Sequence, residues 1–269
     1  MTMKVLTLAF AALIATSASA FAAEDLSQPQ EPIKKSWSWE GPFGMYDREQ
    51  LQRGFQVYKE VCSACHSLSL VSFADLSNEN GGTGMFSTAQ AKAIAASYKV
   101  PAGPDDKGNT TDESGQPLMR PGILADHFPA PFANEEAARA ANGGALPPDQ
   151  SLLVKAREGG ADYVYSIVVG DGVKAPHGFK VVEGKYYDPY FAGRNIGMPP
   201  PLRNDSVTYS DGTKATLDQE AEDVTAFLAW AAEPKLEDRH RIGFGVMLFM
   251  LLLSGLLYLS YRKVWSDAH

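Results

Sequence analysis

The sequence predicts a mainly α-helical exported domain with long loop insertions, followed by one C-terminal transmembrane helix. Three observations carry this reading. Leu51, Phe55 and Tyr58 recur at helical spacing just ahead of Cys62-Ser63-Ala64-Cys65-His66. From Ser77 to Pro148 the chain is rich in Gly, Pro, Asn and Asp, as long loops are. Gly243 to Tyr261 then runs nineteen residues without a charge. At about 1.5 Å per residue that is about 28 Å, close to the thickness of a bilayer's hydrocarbon layer.

The N-terminus reads as a secretory signal over 1–20. Lys4 precedes an apolar run from Val5 to about Ala15, and small residues end at Ala18-Ser19-Ala20, with cleavage at 22 the alternative. It is too short to span a membrane and lacks the Arg-rich amphipathic pattern of a mitochondrial transit peptide. Export of the N-terminus places the domain at 21–238 in the bacterial periplasm. The anchor at 239–262 follows, and a tail at 263–269 stays in the cytoplasm. The flanking charges Arg239, Arg241, Arg262 and Lys263 do not by themselves choose an orientation. The formal charge is −8, about −9 once Lys4 leaves with the signal. Such acidity argues against nucleic acid and suits either solubility or a basic partner.

Within the domain, Asp47 is placed to cap the helix that leads into Cys62. Short helical patches follow at Thr88 to Tyr98 and Asn134 to Asn142. The loop-rich stretch around them has few regular elements to form a core, so it is expected to wrap a large apolar body. Leu152 to Arg157 and Tyr163 to Val169 read as short helices; Val181 to Tyr187 and Val207 to Tyr209 read as short strands or turns. Thr216 and Gln219 form a capping box that opens a helix bearing Val224, Phe227, Leu228 and Ala231, which Pro234 stops. That helix leads almost directly into the anchor.

C-x-x-C-H is the spacing of covalent haem attachment. One turn of backbone lets both thiols reach one porphyrin, and His66 is next in line for the iron. A zinc site needs about four ligands, whereas the chain has two cysteines and no following H-x3-5-H. A redox dithiol or a structural disulfide would not need the adjacent His. The second axial ligand is less determined. The remaining histidines are His127, His177, His240 and His269, and the methionines of the domain are Met45, Met85, Met119 and Met198. Met198 is favoured because Gly197 allows close backbone approach and Pro199-Pro200-Pro201 stiffens the loop. Met119, in Leu118-Met119-Arg120-Pro121, is the rival. A thioether ligand favours reduced iron and an electron carrier. An open sixth position would mean a haem enzyme or gas sensor, and bare thiols a membrane-tethered thiol oxidoreductase.

Four segments together resemble the cytochrome c1 family over nearly the whole mature chain. They are Arg53-Gly54-Phe55-Gln56-Val57-Tyr58 through Cys62-Ser63-Ala64-Cys65-His66, then Pro129 to Tyr163, then Tyr187 to Pro200, and finally Thr225 to Pro234. The resemblance implies a cytochrome c-like haem domain with one haem c held covalently by Cys62 and Cys65 and axially by His66 and Met198. It implies that Arg157 and Tyr163 meet the haem propionates and that Asn142 and Pro148 line the haem. It further implies the haem subunit of ubiquinol–cytochrome c reductase, single-pass in the bacterial inner membrane. Such a subunit takes electrons from the Rieske iron–sulfur protein and passes them to a cytochrome c, beside cytochrome b in a dimeric bc1 complex. Quinol chemistry would belong to cytochrome b, so the chain is not an enzyme by itself. Some bacterial members carry a second cysteine pair near the haem; this sequence has none, which leaves open what stiffens the Met198 loop. Asp105, Asp106, Asp112 and Glu113 are candidates for attracting a basic cytochrome c.

Overall fold

The computed structural model describes residues 28–77, 83–170 and 173–266; the expected signal segment and its cleavage site lie outside them, as does His269. Two helices set the frame. Helix α1, Arg48–Glu60, begins where the Asp47 carboxylate accepts from the Glu49 and Gln50 amides, and it buries Leu51, Phe55, Val57 and Tyr58. Later elements are α2 (Thr88–Ser97), β1 (Lys99–Pro101), β2 (Met119–Pro121), α3 (Glu135–Ala141), α4 (Leu153–Ala156), α5 (Gly160–Gly170), β3 (Tyr186–Tyr187), β4 (Asn195–Ile196), α6 (Leu217–Ala232) and α7 (Leu236–Val264).

Helix α6 lies across α1 and is buried from Glu220 to Ala232 apart from Glu222, more fully than the one apolar face of Val224, Phe227, Leu228 and Ala231 predicts, since Glu220 and Asp223 are buried too. The two backbones approach so closely that a Cβ on Gly54 would sit 1.9 Å from the Asp223 carbonyl oxygen and 2.8 Å from Phe227 Cβ. Around this crossing Phe227 stacks near Trp230 with ring centroids 5.5 Å apart and meets Tyr58 at 5.5 Å and Phe55 at 5.7 Å. The Trp230 indole donates to the Thr83 carbonyl at 2.6 Å. Arg53 grips the buried Asp223 carboxylate through Nε at 2.9 Å and Nη2 at 3.3 Å, which neutralises a charge that would be costly alone.

The loop-rich stretch departs from its expectation. Rather than leaning wholly on a bound apolar body, it packs on an aromatic cluster of Phe73, Tyr98 and Phe128, with Phe73 and Phe128 centroids 4.5 Å apart and Tyr98 5.5 Å from Phe128. Strands β1 and β2 pair antiparallel, Val100 opposite Arg120, a hairpin that period-2 patterning over three residues is too short to signal. Ser87 and Gln90 form a full reciprocal capping box. At Thr216 only half of one forms: its hydroxyl accepts from the Gln219 amide, while the Gln219 side chain donates to Asp223 instead. Val207 to Tyr209 is irregular, and of Val181 to Tyr187 only the last two residues pair as a strand.

Helix α7 runs 29 residues from Leu236 to Val264, about 43 Å. None of its membrane-length apolar window is buried against the domain. Three residues separate it from α6, so it leaves the domain as one rod within which the expected limits 239 and 262 both fall. At the α1–α6 crossing, Gly54→Ala must force the helices apart. The variant is expected to lose about 1–3 kcal/mol of stability, measured as a lower denaturation midpoint in guanidinium chloride.

Candidate functional site

The last turn of α1 ends at a tight turn that gathers the motif. The Cys65 and His66 amides both donate to the Cys62 carbonyl, at 3.1 and 2.9 Å. This closure turns Cys62, Cys65 and His66 into one cavity of about 370 Å³, where all three are half-buried and both thiols are free. Burial, helped by the neighbouring Cys65, pushes the Cys62 thiol up to about 12.

His66 Nδ1 lies 2.8 Å from the Pro148 carbonyl oxygen. A carbonyl can only accept, so Nδ1 carries the proton and Nε2 keeps its lone pair. Burial lowers the imidazole's proton affinity against the raising effects of Pro148 and Asp149, which favours the neutral ligand form. The Pro148 segment is itself clamped by Asp149. One carboxylate oxygen accepts from Ser67 Oγ at 2.7 Å and the Ser69 amide at 2.9 Å, and the other from the Ser151 amide at 2.8 Å. Burial pushes this carboxyl up, but hydrogen bonds from Ser151 and Ser69 overcome it and hold the group well below the ordinary range.

The facing wall comes from the β3–β4 hairpin, in which Tyr186 pairs with Ile196 and Tyr187 with Asn195. The Asn195 carboxamide oxygen also accepts from the Val182 amide at 2.8 Å. The strand thus delivers Gly197-Met198 into the cavity from a paired hairpin. A Cβ at Gly197 would fall 2.9 Å from Ala145 Cβ and 3.2 Å from Lys185 Nζ, so only glycine lets the Met198 loop sit this close. Buried Asp188, in the same hairpin, is pushed up to about 6 by burial against the pull of the Tyr190 and Phe191 amides.

All eight expected residues line this one cavity: Cys62, Cys65, His66, Asn142, Pro148, Arg157, Tyr163 and Met198. Arg157 is exposed and Tyr163 half-buried. The left-handed turn at Gly159 and Gly160, φ +85° and +55°, brings the two toward the same opening. Burial raises the Tyr163 hydroxyl and Arg157 partly offsets it. Asn142 spends its amide on the Ala138 carbonyl at 2.7 Å. The rival ligands are elsewhere: Met119 is exposed on β2, Met45 is exposed, and Met85 is buried outside the cavity. His127 and His177 are exposed, and His240 Nδ1 lies 3.2 Å from the Gly44 carbonyl.

Pattern reading missed the walls. Ile167 and Val168 of α5, Leu153 of α4, Val224 and Leu228 of α6, Phe191 and Leu146 close the slot, with Gln150 and Lys185 among its polar members. The apolar run of α5 was the available signal. Gln150 Oε1 is buried without a hydrogen-bond partner among the described residues.

This donor set fits haem c: two thiols on one turn, a neutral imidazole beside them, a thioether on the facing wall, apolar sides and a cationic residue at the opening. It does not fit a bare metal, since the described residues contain no group of three or more His, Cys, Asp or Glu that could hold one. It does not fit a reactive dithiol well either, because an attacking thiol needs a lowered proton affinity and burial raises that of Cys62.

Comparison with known proteins agrees. The model of the Cytochrome C1 family matches residues 37–268. The chain is 47% identical over 249 residues to cytochrome c1 of Rhodospirillum rubrum, covering 87% of each chain. It is 46% identical over 257 residues to cytochrome b/c1 of Bradyrhizobium diazoefficiens, covering 89% of this chain and 36% of that protein. It is 44% identical to the mitochondrial cytochrome b-c1 complex catalytic subunit of Candida albicans, covering 85% of this chain and 74% of that one.

Replacing the clamp, Asp149→Ala, is expected to cost about 1–2 kcal/mol at pH 7, discounted for partial exposure. A carboxyl whose folded pKa is depressed stabilises above its unfolded pKa, and that contribution fades as pH falls through the folded value. Denaturation midpoints of the two proteins should therefore differ at pH 7, begin to approach each other only below about pH 4, and converge only as pH falls through the depressed folded value of Asp149.

Proposed function

The chain belongs to the cytochrome c1 family, and from that premise we propose that it is a membrane-anchored electron carrier with one covalent haem c, working in a cytochrome b/c1 complex. The observation that carries the reading is the convergence of Cys62, Cys65, His66 and Met198 on one apolar cavity, with His66 Nδ1 tied to Pro148.

Cys62 and Cys65 would hold the porphyrin through thioethers, and His66 Nε2 and Met198 Sδ would be the donors to its iron. Haem supplies a one-electron couple when bound, and a thioether ligand raises its potential. Each donor is held before ligation: His66 by the Pro148 carbonyl and the Asp149 clamp, Met198 by the β3–β4 hairpin. That order limits the entropy lost on binding. Arg157 offers a guanidinium that keeps its charge to the propionates, with Tyr163 beside it, and Asn142 and Pro148 line the rim. The walls from α4, α5 and α6 exclude water from the ring faces. This chain makes and breaks no substrate bond; quinol oxidation falls to cytochrome b.

The partners are cytochrome b, the Rieske iron–sulfur protein as donor and a cytochrome c as acceptor, in a dimeric complex. Residues 1–20 are the export signal, the haem domain from 21 to 238 faces the periplasm, and 263–269 remain cytoplasmic. The acidic insertion is also ordered by turn chemistry: Asp105 accepts from the Lys107 and Asn109 amides and Asp112 from those of Ser114 and Gln116, bonds that favour the charged carboxylates and leave them exposed to attract a basic cytochrome c. Both carboxylates thereby have a structural use of their own.

Met198→Leu is the test. The pyridine derivative should still report covalent haem c, while the native low-spin reduced spectrum is lost, carbon monoxide binds the reduced protein and the potential falls by a sizeable part of the roughly 0.8 V that axial ligands command. An unchanged low-spin spectrum with an unmoved potential would remove Met198 from the iron, and a colourless wild-type protein from cells competent in haem attachment would remove the haem.

A further inference from the structure

The turn from Gly41 to Met45 exposes two large apolar side chains: Phe43 is 79% and Met45 61% exposed. The turn is not a loose tip. Gly41 adopts φ +77°, and a Cβ on Gly44 would lie 2.2 Å from the Trp39 backbone. The Met45 amide donates to the Ser38 carbonyl at 3.0 Å. Beneath it Trp39 and Tyr46 sit with ring centroids 5.5 Å apart, and Trp37 stacks on Trp39 at 4.9 Å. A rigid frame therefore holds Phe43 and Met45 outward, with nothing among the described residues covering them.

The same turn is fastened to the first turns of α7. Glu237 accepts from the Tyr46 amide at 2.9 Å and takes both Arg48 Nη groups, at 2.8 and 2.9 Å. His240 Nδ1 reaches the Gly44 carbonyl at 3.2 Å. His240 precedes Ile242, the first residue after the last charge before the apolar run, by two residues, or about 3 Å along the helix. The polar layer on each side of a bilayer is about 5–7 Å deep. With the uncharged run in hydrocarbon, the Gly41–Met45 turn falls inside that layer.

The geometry points to this turn as a second membrane contact, in which Phe43 and Met45 enter the lipid interface beside the anchor and fix the angle of the domain to the bilayer. An interfacial contact of this kind needs apolar side chains on a surface continuous with an inserted helix, and both conditions are met: Ile242 and Phe244 of α7 are exposed just beyond. A single helix on a flexible joint would leave the haem opening free to swing. With the turn seated, the joint is held at two points. The inference rests on α7 being the membrane anchor and is independent of the iron's ligands.

The test uses the full haem-loaded chain in phosphatidylcholine vesicles, with nitroxide labels placed singly by Phe43→Cys, Met45→Cys, Ser114→Cys and Leu252→Cys. Haem absorbance checks folding, and wild-type chain carried through labelling sets the background. Labels at 43 and 45 should show an oxygen-over-nickel-chelate accessibility ratio several-fold above that at 114 and below that at 252. A ratio at 43 and 45 equal to that at 114 would overturn the inference. So would labels that are aqueous in vesicles and shielded from both reagents only in the assembled complex, which would assign the turn to another subunit. An aqueous reading at 252 would overturn the anchor itself, and this contact with it.

Discussion

The near-contact of α1 and α6 at Gly54 is the constraint on which the rest of the structure depends. With no side chain at this position, the α1 backbone settles against the Asp223 carbonyl, and the aromatic cluster of Phe55, Tyr58, Phe227 and Trp230 closes around the crossing. Both helices then serve the site from fixed positions. The end of α1 presents Cys62, and one side of α6 supplies Val224 and Leu228 to the cavity wall. Aromatic burial of this size also means that the helical frame does not need the porphyrin for all of its core.

Around that frame the two sides of the cavity are held by different means. The His66 side uses hydrogen bonds: a carbonyl fixes the imidazole tautomer, and a carboxylate with a depressed proton affinity ties three backbone and hydroxyl donors together. The Met198 side uses backbone pairing and a glycine contact. A neutral imidazole and a soft thioether both suit a transition metal. Holding them in place beforehand would let them meet the iron of the proposed haem with little reordering.

The membrane helix and the domain are similarly bound at a small number of well-made contacts. Only three residues link α6 to α7, and Glu237 gathers Tyr46 and Arg48 onto the first turn of the rod. The setting of the cavity relative to the anchor helix is thus a property of the fold rather than of a linker.

Much of this was legible in the sequence because it depends on local chemistry. The spacing in Cys62-Ser63-Ala64-Cys65-His66, the cap at Asp47, the uncharged run from Gly243 and the stiff setting of Met198 each act over a few residues, and each has one dominant physical reading. Other features came only from contacts between segments far apart in the chain. Nothing near His66 announces that its partner is the carbonyl of Pro148, nor does the setting of Met119 reveal that β2 carries it away from the cavity. Gly54 reads as an indifferent residue in a helix until Asp223 is packed against it. The aromatic cluster of Phe73, Tyr98 and Phe128 was invisible because its members share no periodicity. The sequence by itself determined the cofactor's attachment chemistry and the anchor, since covalent spacing and hydrophobic length are local. Only the tertiary structure decided which methionine shares one cavity with His66 and how the anchor helix joins the domain, because both are set by packing and hydrogen bonds between distant residues.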